Sequence, residues 1–331
     1  MSIRINHTAG RAVALCLAWA LASAAASLAH AQTFPAKPVR IVVAFPPGGP
    51  SDYAARVVSL KLVESVGQQF VVDNRPGAGG ALGTELVARA APDGYTLLIG
   101  NTGTLAVLPH LQAKIPYDAM RDFTAITNLI GGPSFLLTHP SVPVKNLREL
   151  LELARKRPGQ LTYASAGVGQ ISHMNGELLK QLARIDLLHV PYKGTGPVMP
   201  EMLGGQVSMT FSTSIDNLQF VKTGRLRGMA VTGKERLAVA QELPTMAESG
   251  LPGFESLNWN GIVGPAGMPV DVVTRLHREI VRAINLPDIK EKVAAQGNFV
   301  IGDTPEQFSA YIRAESEKWA RVVKQGNIRI D

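Results

Sequence analysis

The chain is poor in several things at once. Among 331 residues there is one cysteine, Cys16. A single thiol excludes any internal disulfide, and everything after residue 16 lacks thiol chemistry altogether. Aromatic side chains make up 6% of the sequence. Together with scattered basic residues, that leaves no basic stripe interleaved with stacking rings, as a nucleic-acid surface would need. No block of like charges appears. No H-x-x-x-H pattern or cysteine ligand accompanies His173 and His189, so the zinc signatures fail.

The longest apolar run, Ala12–Leu28, lies at the start. It follows Arg4 and Arg11 and leads into Ala29-His30-Ala31, a small-x-small site before Gln32. This is the pattern of a secretory signal peptide cleaved after Ala31, with export to the periplasm as its consequence. The alternative is a membrane anchor, but the run is short and no stop-transfer pattern follows. Leu15 before Cys16 does not fit a lipoprotein site. Removing residues 1–31 takes two arginines and no acid, which leaves a net charge of +5 from the +7 of the full chain. Such a mild excess suits attraction of anionic solutes.

What is present is alternation. Val39–Phe45 reads as a buried strand and 52–66 as a helix with Ser51 or Asp52 as its cap. A strand at 69–74, an alanine-rich helix at 77–91 and a strand at 96–100 continue an α/β unit with a mainly parallel sheet. Residues 122–140 read as extended. A second α/β unit follows: helices at 146–157, 172–184, 197–203 and 214–223, with strands at 162–165, 187–190, 207–211 and 226–231. Residues 254–264 read as extended again, and helices at about 270–284 and 305–324 finish the chain. Two α/β units joined by two extended segments predict discontinuous lobes: residues 32–130 with 259–331, and residues 131–258. A cleft would lie between them, facing the loops at strand ends.

Those loops carry the chemistry. "AFPPGGPSD" (44–52) lacks the Lys-Ser/Thr of a phosphate-binding P-loop and the G-x-G-x-x-G of a dinucleotide fold. Glycines followed by a helix N-terminus suit an anion such as a carboxylate, or else form a tight turn that binds nothing. "YASAGVGQISHMNGE" (163–177) repeats the design and offers Ser165, Gln170, Ser172 and His173 beside Gly167 and Gly169. A serine-hydrolase elbow would need glycine where Tyr163 stands. A hydrolase using Ser165 and His173 is therefore the weaker alternative, with His173 otherwise a capping or pocket-lining residue. Lys193 in "HVPYKGTGP" is a cation at a third strand end. Asn101 and Thr102 follow the strand at 96–100, while Ser212 and Asp216 follow that at 207–211. Glu315 and Glu317 are expected on a solvated helix face, and Trp259 in hinge packing.

Taken in order, "AFPPGGPSDYAAR", "NRPGAGGALGTELVARAAPDGYTLLIGN", "YASAGVGQISHMNGELL", "HVPYKGTGP…MLGGQV" and W-x-G-I-V-G-P-A-G-M-P resemble the Bug family. Its members are the substrate-binding proteins of tripartite tricarboxylate transporters. The resemblance covers nearly all of the chain after residue 31. It implies a two-lobe periplasmic binding protein of type II, a Venus-flytrap fold with two crossover strands, non-enzymatic and without a cofactor or metal. It would be a monomer that passes a small carboxylate to a two-component membrane permease. A sensor accessory presenting the ligand to a membrane receptor is the alternative. The resemblance further implies that two loops clasp the carboxylate, 47–52 and 165–173. The expected ligand contacts are then Phe45, Pro47, Gly48, Gly49, Ser51 and Asp52 in the first lobe, joined by Asn101 and Thr102. The second lobe adds Ser165, Gly167, Gly169, Gln170, Ser172 and His173, with Lys193, Ser212 and Asp216. Relatives often carry an acid where Ser212 stands, so its absence points away from amino-acid ligands.

Overall fold

The computed structural model describes residues 34–112, 114–213 and 217–328. The expected signal peptide, Cys16 and Asp216 lie outside them. The described residues from Pro38 onward form one compact unit. Among the described residues no helix is long and apolar enough to cross a membrane.

The first sheet starts from the apolar strand β1 (Val39–Val43), flanked by β2 (Phe70–Asn74) and β3 (Thr96–Asn101), both parallel to it. Helices α1 (Pro50–Val66) and α2 (Ala81–Ala88) make the connections. Gly49 is the N-cap of α1 and Pro50 fills its first turn, where a missing N–H costs nothing; Gly67 ends it in the left-handed conformation. The cap therefore falls earlier than Ser51 or Asp52, because Pro50 has the φ a first turn requires.

After β3 the chain makes a π-type turn, Thr102–Val107, and a short helix α3 (Leu108–Leu111). The long strand β4 (Phe123–Pro133) then crosses to β5 (Phe135–Thr138) in the second sheet. That sheet is completed by α4 (Leu147–Lys156), β6 (Thr162–Ser165), α5 (Ile171–Ala183), β7 (Leu188–Pro191), α6 (Val198–Leu203), β8 (Met209–Ser212), α7 (Leu218–Lys222) and β9 (Arg227–Val231). Strand β10 (Leu257–Pro265) returns to the first sheet. Helices α8 (Val270–Ile284) and α9 (Pro287–Ala295), the short strand β11 (Phe299–Val300) and α10 (Pro305–Gln325) follow.

The strand orders are β11-β4-β10-β3-β1-β2 and β7-β6-β8-β5-β9. The first sheet is thus mixed rather than mainly parallel. The crossing strands β4 and β10 enter it antiparallel to each other, and β10 is antiparallel to β3. Helix α9, which opens on Pro287 close behind α8, and the two-residue strand β11 are additions to the elements expected from sequence.

The two crossings are tied where they leave the sheets. Thr232 Oγ1 accepts from the Ser134 amide (2.8 Å) and donates to the Ser256 carbonyl (2.7 Å). The Thr232 amide donates to Ser134 O and the Ser256 amide to Thr232 O, each at 2.9 Å. Helix α10 packs on β4 and also reaches α5, where Gln181 Nε2 donates to Val322 O at 2.7 Å. Glu315 corrects the expectation of a solvated face. It is 7% exposed, accepts from Trp319 Nε1 (3.0 Å) and Trp259 Nε1 (3.4 Å), and pairs with Lys318. Trp259 itself is fully buried, edge-on to Phe308 and Tyr311. The acid is inside because two indole N–H groups inside need an acceptor.

Candidate functional site

Two helix N-termini and the turn after β3 meet at the carboxyl ends of the strands. On α1, the first helical hydrogen bond runs from Tyr53 N–H to Gly49 O at 2.9 Å, so the amides of Ser51 and Asp52 precede the ladder. The loop before them is shaped by Asp52. Its carboxylate accepts from the Gly48 amide (3.0 Å), Arg56 Nε (2.8 Å) and Asn74 Nδ2 (3.0 Å), and Asn74 Nδ2 also reaches Phe45 O (3.0 Å). Burial raises the pKa of Asp52, but the bonds from Arg56, Gly48 and Asn74 outweigh it and hold the carboxyl below its ordinary range. All these bonds face the loop, so Asp52 braces it. Gly48 sits at φ 85° and is exposed beside exposed Pro47. Space around Gly49 is open, its nearest neighbour for an added Cβ being Pro46 O at 3.9 Å.

Ser51 is buried and faces inward. Its hydroxyl donates to Asn260 Oδ1 at 2.6 Å and accepts from Asn101 Nδ2 at 3.1 Å. Asn101 Oδ1 in turn accepts from the Thr104 amide (3.0 Å), closing a capping box that holds the π-type turn. Thr102 is buried with its hydroxyl toward Leu257 O at 3.4 Å.

The second loop is wired from within. Ser165 Oγ accepts from the Gly167 amide (3.2 Å) and lies 2.6 Å from His189 Nε2. Ser172 Oγ accepts from the Ala166 amide (3.0 Å), and His173 Nδ1 from the Gly169 amide (3.1 Å). Gly167 (φ 131°) and Gly169 (φ 80°) take conformations that side chains resist. The loop delivers the chain to α5, whose first helical bond is Met174 N–H to Gln170 O at 3.0 Å. The imidazoles of His173 and His189 stack with centroids 4.2 Å apart, and Tyr163 stacks on His189 at 4.8 Å. Tyr163 Oη donates to Glu177 Oε1 at 2.6 Å, which also accepts from Lys180 Nζ at 2.9 Å. Burial first, then coupling to His189 and to the Lys180 ammonium, pushes His173 down to about 3; burial, helped by Lys180, pushes His189 down to about 4. Both rings are therefore neutral; the Gly169 amide makes His173 Nδ1 an acceptor, while His189 Nε2 shares a hydrogen bond with Ser165 Oγ, whose hydroxyl also reaches Gly167 O at 3.3 Å.

The turn after β3 and the second loop approach one another at glycines. A Cβ on Gly103 would lie 3.4 Å from Gln170 Nε2 and 3.5 Å from Gly169 O, and one on Gly169 would lie 3.0 Å from Leu111 Cδ1. The turn after β3 is thus the spacer that holds the N-termini of α1 and α5 toward one region. Of the residues singled out in sequence, Ser51, Asn101, Thr102, Gly169 and Gln170 come together here. Ser165, Gly167, Ser172 and His173 form the second loop's own bracing. Ser212 is buried and its Oγ accepts from Asn217 Nδ2 at 2.6 Å. Lys193 leaves its side chain exposed, although Gly194 N–H and Tyr192 N–H dock its loop on Ala166 O (3.0 Å) and Ser165 O (2.9 Å). Three contributors escaped the sequence reading. Gly103 and Asn260 have no motif beyond neighbouring glycines and tryptophan. His189 meets the site only because the β6–β7 register sets it beside Tyr163.

Two α/β sheets, crossed twice and presenting helix N-termini to a common region, define a two-lobe binding protein of type II. The profile of the tripartite tricarboxylate transporter family receptor matches residues 54–328, and the chain belongs to that family. It is a periplasmic solute-binding protein, as the resemblance to Bug proteins implied. Protein BugT of Bordetella pertussis is 35% identical over 91% of this chain and 92% of its own. The solved structure of Rpa4515 of R. palustris with adipate superposes with a TM-score of 0.83 at 32% identity, covering 89% of this chain and 99% of that one. MatC (Rpa3494) from Rhodopseudomonas palustris with bound malate gives a TM-score of 0.80 at 32% identity, covering 88% and 100%.

Proposed function

We propose that the protein captures a small organic acid without an amino group, a dicarboxylate or an aromatic acid, and delivers it to a membrane permease. The observation that carries this reading is the pairing of two glycine-led helix N-termini, α1 and α5, across the Gly103–Gly169 approach. Amides ahead of each helical ladder supply donors and partial positive charge to a carboxylate. The adipate and malate held by the two solved relatives support the same class. The nearby acid Asp52 is already engaged by Gly48, Arg56 and Asn74, and Ser212 stands where an acid would be needed to meet an ammonium group. A zwitterion would desolvate that ammonium without a counter-charge.

The protein works as a monomer in the periplasm after cleavage following Ala31. Closing is a hinge motion at the crossings near Ser134 and Ser256, and ligand contacts from both sheets favour the closed form. It is not an enzyme. The Ser165 hydroxyl is fully buried between Gly167 and His189, out of reach of an ester carbonyl.

A thermal-shift panel pairing malate with aspartate and adipate with 2-aminoadipate tests the class. A ligand at 100 times its Kd adds about 2.7 kcal/mol to stability. Stabilisation is expected from at least one deaminated member and weaker stabilisation from its amino partner. Consistent preference for the amino acids would overturn the reading.

A further inference from the structure

Asn260 stands at the centre of the site without having been recognisable as part of it. It lies on the returning strand β10, in register opposite Asn101, and is 3% exposed. Its Oδ1 takes the Ser51 proton at 2.6 Å, which fixes the orientation of the amide. The other end is therefore Nδ2. No described residue accepts from Nδ2, and it is not among the buried side-chain atoms left without a partner, so it is not sealed from solvent. A side chain that is nine-tenths buried, locked by one atom and offering two N–H donors from the other, is placed to meet an acceptor from outside the chain.

We propose that Asn260 contacts the ligand directly, donating from Nδ2 to a carboxylate or hydroxyl oxygen of the bound acid. The inference rests on the carboxylate reading above and gives it a side-chain reader. Because Ser51 occupies Oδ1, the residue presents donors only. Nδ2 donates to an oxygen and cannot itself meet an ammonium group. Neighbouring amides on α1 carry the anion's charge, while Asn260 fixes where one oxygen sits. Ser51 and Asn101 act on this residue by holding its amide plane.

Calorimetry with malate and adipate tests the assignment. If wild type binds neither, nor any other acid of the panel above, the carboxylate reading itself fails and the inference falls with it. If wild type binds one, that acid is the probe. Asn260→Ala is expected to weaken it about 10- to 100-fold, the loss of one charge-assisted hydrogen bond. Asn260→Asp keeps the acceptor for Ser51 but turns the donor into a negative oxygen, and is expected to weaken the probe more than about 100-fold. Melting of the unliganded variants shows that they fold. Should Asn260→Asp not fold, Asn260→Ala measured in a Ser51→Ala background decides. A further loss there supports direct contact. No added loss means that Asn260 acts only through Ser51, which overturns the proposal, as does an Asn260→Asp protein that binds like wild type.

Discussion

His173 and His189 are neutral for a structural reason, and that has a measurable consequence. Each commits a ring nitrogen to the second loop: His173 Nδ1 accepts from the Gly169 amide, and His189 Nε2 is hydrogen-bonded to Ser165 Oγ. They face each other, with Tyr163 stacked on one side and Glu177 and Lys180 at the edge of the cluster. Their folded pKa values are pushed down to about 3 and about 4, whereas the unfolded chain titrates near 6.5. Between about pH 6.5 and pH 4 the unfolded chain binds protons that the folded chain refuses. Stability therefore falls as pH drops through this window, by about 1.4 kcal/mol per pH unit for each histidine. Urea titrations from pH 7 to 4.5 should show the slope, and His189→Asn should remove a share of it. The same slope in that variant would mean that other groups set the acid limit.

At the scale of elements, the cradle depends on backbone shape. Gly167 sits at φ 131°, and a Cβ there would come within 3.2 Å of Tyr192 O. Gly49, by contrast, caps α1 at φ −85° with open space around it. Gly49→Leu is therefore expected to fold normally and to lose ligand binding by at least about 100-fold, since its side chain projects beside the α1 amides. Gly167→Leu is expected to lose binding too, with a stability cost of about 1–3 kcal/mol from backbone strain. Calorimetry together with thermal melting checks both, and normal affinity in the folded Gly49 variant would remove the first loop from the site. The glycine loops were legible in sequence because a strand, a Gly-rich turn and a helix leave a local signature. Asn260 and His189 were not, because their places are set by register with β3 and β6, which sequence spacing does not encode. Glu315 was misread for a related reason. Its helix carries charge on neighbouring turns, and the two indoles that draw it inward come from Trp259, far off in sequence, and Trp319, which reads as ordinary core.

Over the whole molecule, the two crossings between the sheets share one residue, Thr232. It is fully buried at the end of β9 and bonds both crossings, through Ser134 on the way out and Ser256 on the way back. Thr232→Val keeps its shape, leaves its backbone bonds in place and removes only the hydroxyl. The Ser134 amide then loses a buried acceptor and the Ser256 carbonyl a donor, at a cost of about 1–3 kcal/mol for each group left unpaired. The hydroxyl lies in the crossings and touches neither glycine loop, so ligand contacts should survive. The expected result is a lower melting temperature by a similar amount with and without saturating ligand, and an affinity within about threefold of wild type. This follows because a tie present in both arrangements of the lobes cannot shift the balance between them. A loss confined to the liganded protein, with weakened binding, would show instead that the Thr232 tie forms on closing. The hinge itself would then contribute to affinity, and the ligand loops would share that role with the crossing strands.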